Sequence, residues 1–178
     1  RCFHDHFGGR KAGDKPGRRS LARNTGHKLS RGEISFYLDG DVIPEPRVFE
    51  YAIRLHRENH KVAVKYPVYS LPEDRHQNDI ENLAPLIVNH KLAELGPSVT
   101  KHVGIDTRPL PRRLRGKKTN LWVLCASHCT SMEKSEVEKV GGWDEAFEGW
   151  GEEDLELSYR LFEAGNKFIY PHRKHGAA

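Results

Sequence analysis

Apolar positions along the chain switch between two periods. Val48, Tyr51, Ala52 and Leu55 fall at i, i+3, i+4 and i+7, the stripe of an amphipathic helix that packs one face on a sheet. Upstream, EISFYLD is short, β-branched and aromatic between Gly32 and Gly40, which predicts a buried strand over 33–39. Before it, Pro16 suits a first helical turn, Ala22, Gly26 and Leu29 recur at helical spacing, and Gly32 stops the run, predicting a helix over 17–31. KVAVKYPVY predicts a second strand over 61–69. Residues 79–96 read as helical, with Pro85 as a kink or as the true first turn. A basic, proline-containing loop over 97–118 follows. TNLWVLCAS predicts a strand, EKSEVEKV a short helix, EEDLELSYRLFEAG a strong helix with Leu157 and Leu161 on one face and Gly165 at its end, and KFIYP a closing strand. Helices alternate with strands, so the expected fold class is α/β with a mostly parallel sheet.

The length, 178 residues, suits one domain. Hydrophobic residues make up 37% and charged residues 30%, and no apolar run is long enough to cross a bilayer as a helix. Much of the net charge of +4 lies in RPLPRRLRGKK at 108–118. Such a run could attract phosphates, acidic glycans or an anionic membrane surface, or it could be a solvated loop. It lacks interleaved aromatics and any recognition motif, which argues against nucleic acid as a partner. Cys2, Cys125 and Cys129 fit no four-ligand zinc spacing, so reduced structural thiols and a cytoplasmic setting, with a peripheral membrane association left open, are the expectation. His4-Asp5-His6 has no predicted element to hold it and reads as loop. The opening segment shows no signal peptide, and the chain begins as if in the middle of a doubly wound domain.

Candidate chemistry starts where the first strand ends. Asp39-Gly40-Asp41 sits at a strand's carboxyl end, where ligands gather in open α/β sheets. Carboxylate oxygens suit Mn²⁺ or Mg²⁺, which bind through one or two carboxylates together with substrate phosphates. Gly40 would let the backbone bend both side chains toward one ion and let a nucleotide come close. The same residues before Ile-Pro also favour an ordinary turn.

A second segment, GGWDEAFEGWGEEDLELSYR at 141–160, places Glu152, Glu153 and Asp154 at the start of a helix. Acids there offset the helix dipole by roughly 0.3–1 kcal/mol, for which one would suffice. A carboxylate at the mouth of the sheet could instead act as general base toward a hydroxyl, with Trp150, between glycines, as an apolar platform for a sugar ring.

Together, SLARNTGHKLSRGEISFYLDGDVIPEP and VGGWDEAFEGWGEEDLELSYRLFEAG resemble family-2 glycosyltransferases of the GT-A fold, in the branch whose C-terminal half is similar to that of β-1,4-galactosyltransferases and polypeptide GalNAc transferases. The matched parts cover about 20–55 and 119–170. The resemblance implies a single catalytic domain over 1–178, a Rossmann-like sheet flanked by helices and lacking its N-terminal βα units. It also implies transfer of a hexose or N-acetylhexosamine from a nucleotide-sugar, UDP-linked by expectation, to a glycan, lipid-linked or protein hydroxyl, with Mn²⁺ or Mg²⁺ as cofactor. Residue by residue, Asp41 would coordinate the ion and Asp39 would reach the ion or the ribose, with Gly40 between them. Arg23 and Asn24 would line the donor site. Asp154, with Glu153 beside it, would match the base, and Trp150 and Gly151 would meet the sugars. An acid at that position implies inversion.

This sequence departs from the family pattern in places. Ser127-His128-Cys129 stands where Gly-Gly-Asn is usual, and Trp143 replaces a phenylalanine. No Pro-x-Tyr-Asn-like segment precedes residue 17. A third metal ligand would come from His172 or His175, or from beyond Ala178. The alternative to an enzyme is a noncatalytic or inactive sugar- or nucleotide-binding module of the same fold.

Overall fold

The structure, a computed structural model, describes residues 19–40, 42, 44, 47–66, 68–70, 104–105, 121–123, 125, 127–147 and 152–171. The elements are α1 (Arg19–Leu29), β1 (Ile34–Leu38), α2 (Arg47–Glu58), β2 (Val62–Lys65), β3 (Tyr69–Ser70), β4 (Gly104–Ile105), β5 (Cys129–Glu133), α3 (Lys134–Lys139), α4 (Glu153–Glu163) and β6 (Lys167–Ile169). The helix expected over 79–96 and the basic run at 108–118 lie outside the described residues.

The main sheet has the order β1-β5-β2-β6, and β3 pairs with β4 in a separate two-stranded ribbon. Strand β5 runs antiparallel to both β1 and β2, while β2 and β6 are parallel. Three of the four strands therefore point one way, as the α/β reading expects, but the reversed β5 lies between β1 and β2, so only one neighbouring pair is parallel. The crossover through α2 leaves a gap one strand wide between β1 and β2, which β5 fills. Among the described residues β1 is one edge of the sheet and β6 the other, and only Ser35 in β1 is buried.

Alternation along the strands divides the core in two. On one face Val62, Val64, Tyr66 and Cys129 pack with Val48, Ala52 and Leu55 of α2. On the other, Ala63 and Met132 pack with Val137 of α3, Leu157 and Leu161 of α4, Cys125 and Trp143. Each fully buried side chain of this size contributes roughly 1.5–3 kcal/mol, so the stripes on α2 and α4 are what fix both helices to the sheet. Among the described residues no helix is long and apolar enough to cross a membrane.

One expectation is corrected. Within the segment TNLWVLCAS the described residues form no strand: Leu121, Trp122 and Val123 make a 3₁₀ turn, and the strand falls on CTSME. Trp122 packs against Tyr159 and Phe162 on α4, with ring centroids at 5.2 and 6.4 Å, so its apolar bulk serves a helix contact. Strand β5 instead carries Thr130 and Ser131 into the sheet's centre. There Ser131 Oγ lies 2.8 Å from both His56 Nε2 and Tyr66 Oη, which offsets the cost of burying a hydroxyl. Helix α1 also buries a face other than the one its apolar residues suggest. Leu21 and Leu29 are exposed, whereas Ser20, Asn24 and His27 are buried. A polar face turned inward needs partners, and these lie at the candidate site.

Candidate active site

The turn Gly141 to Phe147 follows α3 and is pinned from two sides. From α1, the Asn24 amide brackets Trp143: Oδ1 accepts the Trp143 N–H at 2.9 Å and Nδ2 donates to the Trp143 carbonyl at 2.8 Å. Nδ2 also donates to Glu145 Oε1 at 2.8 Å. From α4, Arg160 donates to the carbonyls of Val140 and Gly142 and to Glu156. Gly142 has φ +75°, and a Cβ there would lie 2.6 Å from Asn24 Oδ1, so glycine is required on two counts.

Pinned this way, the Trp143 indole is 2% exposed and meets Tyr37 of β1 edge-on, with centroids 4.6 Å apart. Its Nε1–H donates to Asp154 Oδ1 at 3.2 Å. The other oxygen, Oδ2, accepts the backbone N–H of Ser127 at 3.0 Å and its Oγ–H at 3.1 Å. Arg23 of α1 pairs with Glu153 Oε1 at 2.9 Å, and the same Nη1 stands 3.5 Å from Asp154 Oδ1. Its guanidinium carbon lies 6.0 Å from the Trp143 ring centroid. Glu153 is 3% exposed, so its charge is balanced by Arg23 at close range. Helix α4 is entered through Glu152, whose φ of +68° is uncommon for a residue with a side chain.

Asp39 reaches the same place from the first motif. Its backbone N–H donates to the His128 carbonyl at 3.1 Å, and its own carbonyl accepts from Val42 at 3.1 Å, closing a turn at the end of β1. A turn therefore closes between Asp39 and Val42, and the Asp39 carboxylate beside it is exposed. Neighbouring residues Ser127 and His128 thus hold the two motifs together, one contacting Asp154 and the other Asp39.

Lys65 is a member of this site that the sequence reading missed. It ends β2, is 4% exposed and pairs with Thr130 of β5. Burial lowers its ammonium to about 8, against the opposing pull of Asp154 and Asp39. A lysine in an otherwise apolar strand, VAVK, was the available signal. Cys125 and Cys129 are free and buried, and burial pushes both thiols up to about 12, so they are inert at neutral pH. Burial lowers the His27 imidazole, with its Nδ1 2.8 Å from Tyr37 Oη, against the raising influence of Glu138.

The structure brings together Arg23, Asn24, Glu153 and Asp154, with Asp39 joined through Ser127-His128; Gly40 follows Asp39 in the turn. Asp41, Trp150, Gly151, His172 and His175 lie outside the described residues. Among the described residues no three His, Cys, Asp or Glu side chains are grouped to hold a metal ion. The Asp39 carboxylate is a hard oxygen donor of the type Mn²⁺ and Mg²⁺ take, so the chemistry of the site fits such an ion.

Comparison with known structures defines the class: this is the GT-A glycosyltransferase fold. GalNAc-T7 with UDP, GalNAc and Mn²⁺ superposes with a TM-score of 0.56 at 15% identity, covering 89% of this chain and 29% of that one. The mannosyltransferase PcManGT from Pyrobaculum calidifontis, in complex with GDP-Man and Mn²⁺, gives a TM-score of 0.51 at 15% identity, covering 90% and 36%. Within the class, residues 120–177 match the family described as the N-terminal domain of galactosyltransferase. Over most of its length the chain is similar to two curated proteins of Pasteurella multocida. It is 32% identical to a chondroitin synthase of strain Pm70 over 159 residues, 80% of this chain. It is 30% identical to a hyaluronan synthase over 158 residues, 84% of this chain. The chain spans 16% of the length of either relative.

Proposed function

We propose that this chain is the site-bearing part of a metal-dependent glycosyltransferase that moves a hexose or N-acetylhexosamine from a UDP-sugar to a hydroxyl acceptor with inversion. The observation that carries this reading is the junction at Ser127-His128, which joins Asp39 to Asp154 although the two are far apart in sequence. A binding module has no need of a carboxylate oriented by two separate elements. The solved relatives of the same fold, bound to UDP or GDP-Man and Mn²⁺, support a nucleotide-sugar donor.

In this mechanism Asp39 and Asp41 would hold a divalent ion beside the donor's diphosphate, with His172 or His175 as a further ligand. When bound, that ion would stabilise the negative charge that grows on the leaving diphosphate. Trp150 and Gly151 would bear on the sugar. Asp154 accepts the acceptor's proton as the hydroxyl oxygen attacks the anomeric carbon. Glu153 holds Arg23 beside it, and Arg23 and Asn24 together keep the Trp143 turn against the base. The acceptor is a glycan, lipid-linked or protein hydroxyl.

Calorimetric titration with UDP, with and without Mn²⁺, together with a transfer assay over a panel of UDP-sugars, tests the reading. Manganese-dependent UDP binding that is lost in Asp41→Asn is expected. Asp154→Asn should keep that binding and lose at least a hundredfold in turnover. UDP binding without transfer to any acceptor would make the chain a nucleotide-binding module. Equal loss of binding in both variants would overturn the division of roles.

A further inference from the structure

The two oxygens of Asp154 are not equivalent. Oδ2 receives two donors from one residue, the N–H and Oγ–H of Ser127 at 3.0 and 3.1 Å. Oδ1 receives one long bond from Trp143 Nε1 at 3.2 Å and faces Arg23 Nη1 at 3.5 Å. A carboxylate oxygen has two lone-pair directions, so Oδ2 is saturated while Oδ1 keeps capacity for a further proton. Ser127 is 3% exposed and sits in the connection that leads into β5, so its position is set by the sheet and not by solvent. The side chain of Asp154 is 18% exposed, which leaves a path to it.

The geometry points to Ser127 as a positioning residue that holds Oδ2 of Asp154 and turns Oδ1 toward the acceptor as the proton-accepting atom. This rests on the transferase reading above and deepens it. In the step, the acceptor O–H bond breaks as its oxygen bonds to the anomeric carbon, and the proton passes to Oδ1. The bond from the anomeric carbon to the diphosphate oxygen breaks at the same time, and its electron pair leaves with the nucleoside diphosphate. The Ser127 hydroxyl does not itself touch substrate. Its part is to stop the carboxylate from rotating about its Cβ–Cγ bond, since a freely rotating base spends less time in line with the attacking hydroxyl.

The test uses Ser127→Ala and Ser127→Thr, each read by turnover, donor KM and Mn²⁺-dependent UDP binding. Ser127→Ala removes the Oγ bond and keeps the backbone one, so a fall in kcat of about tenfold is expected, with donor KM and UDP binding unchanged. Ser127→Thr keeps the hydroxyl and should recover most of the lost turnover. Wild-type turnover in Ser127→Ala overturns the assignment, as does a parallel loss of binding and turnover, because a merely structural serine would move both. Absence of transfer by the wild-type protein overturns the transferase reading and the proton-accepting role with it, an outcome distinct from an active wild type with an insensitive Ser127.

Discussion

Asn24 accepts the Trp143 N–H through Oδ1 and donates to the Trp143 carbonyl through Nδ2, so one side chain on α1 closes both ends of a residue 119 positions away. With Arg23–Glu153 and His27–Tyr37, this pair joins the buried face of α1 to the rest of the molecule.

Replacing that amide tests its weight. Asn24→Ala removes three hydrogen bonds and leaves a buried N–H and carbonyl without their partner. At about 1 kcal/mol per bond, with the added cost of stranding buried groups, the expected loss is about 2–4 kcal/mol. Urea unfolding measures it; a loss below 1 kcal/mol would show that water takes over the role of the amide.

Gly142 and Gly165 separate two causes of glycine's necessity. Both have positive φ, +75° and +85°, but a Cβ at Gly165 meets nothing within 4 Å whereas one at Gly142 meets Asn24. Gly165→Ala should cost about 1 kcal/mol from backbone strain alone. Gly142→Ala should cost about 2 kcal/mol more, because the amide must also move. Equal costs in thermal unfolding would mean that Asn24 gives way freely.

Acid should weaken the fold before its carboxylates titrate. Burial lowers both His27 and His56 below their ordinary value of 6.5. A folded-state value under the unfolded one means that the unfolded chain binds protons first. Stability is then complete above pH 6.5 and falls as pH drops through 6.5 toward the folded-state values. Denaturation midpoints between pH 8 and 5 should decline throughout that lower range; a flat profile would contradict the burial of these imidazoles.

Lys65 carries the opposite lesson, since its buried ammonium is a cost. Lowered from 10.5 to about 8, chiefly by burial, it destabilises the fold by roughly 3 kcal/mol at neutral pH. Because the folded-state value lies below the unfolded one, the cost is full below pH 8 and fades as pH rises toward 10.5. Lys65→Met should therefore be more stable than the wild type at pH 7, by about 1–3 kcal/mol, with the gap narrowing between pH 8 and 10. A less stable variant would mean that the packing and bonding of the Lys65 side chain outweigh the desolvation of its ammonium.

The sequence by itself determined the elements whose signal is local. The stripe of Val48, Ala52 and Leu55 located α2, Leu157 and Leu161 located α4, and the run before Asp39 located β1, because side-chain period and backbone sterics act over a few residues. The order of the two acidic motifs also lay in the sequence. Tertiary structure decided what depends on distant partners. Apolar bulk at Trp122 went to a helix contact instead of a strand, and α1 turned a polar face inward because Asn24 and His27 find partners near Trp143 and Tyr37. The reversed β5 brought Ser127 to Asp154 and His128 to Asp39, and no short-range pattern encodes those hydrogen bonds. A buried polar group is stable only where its partner waits, and the partner's position is a property of the folded chain.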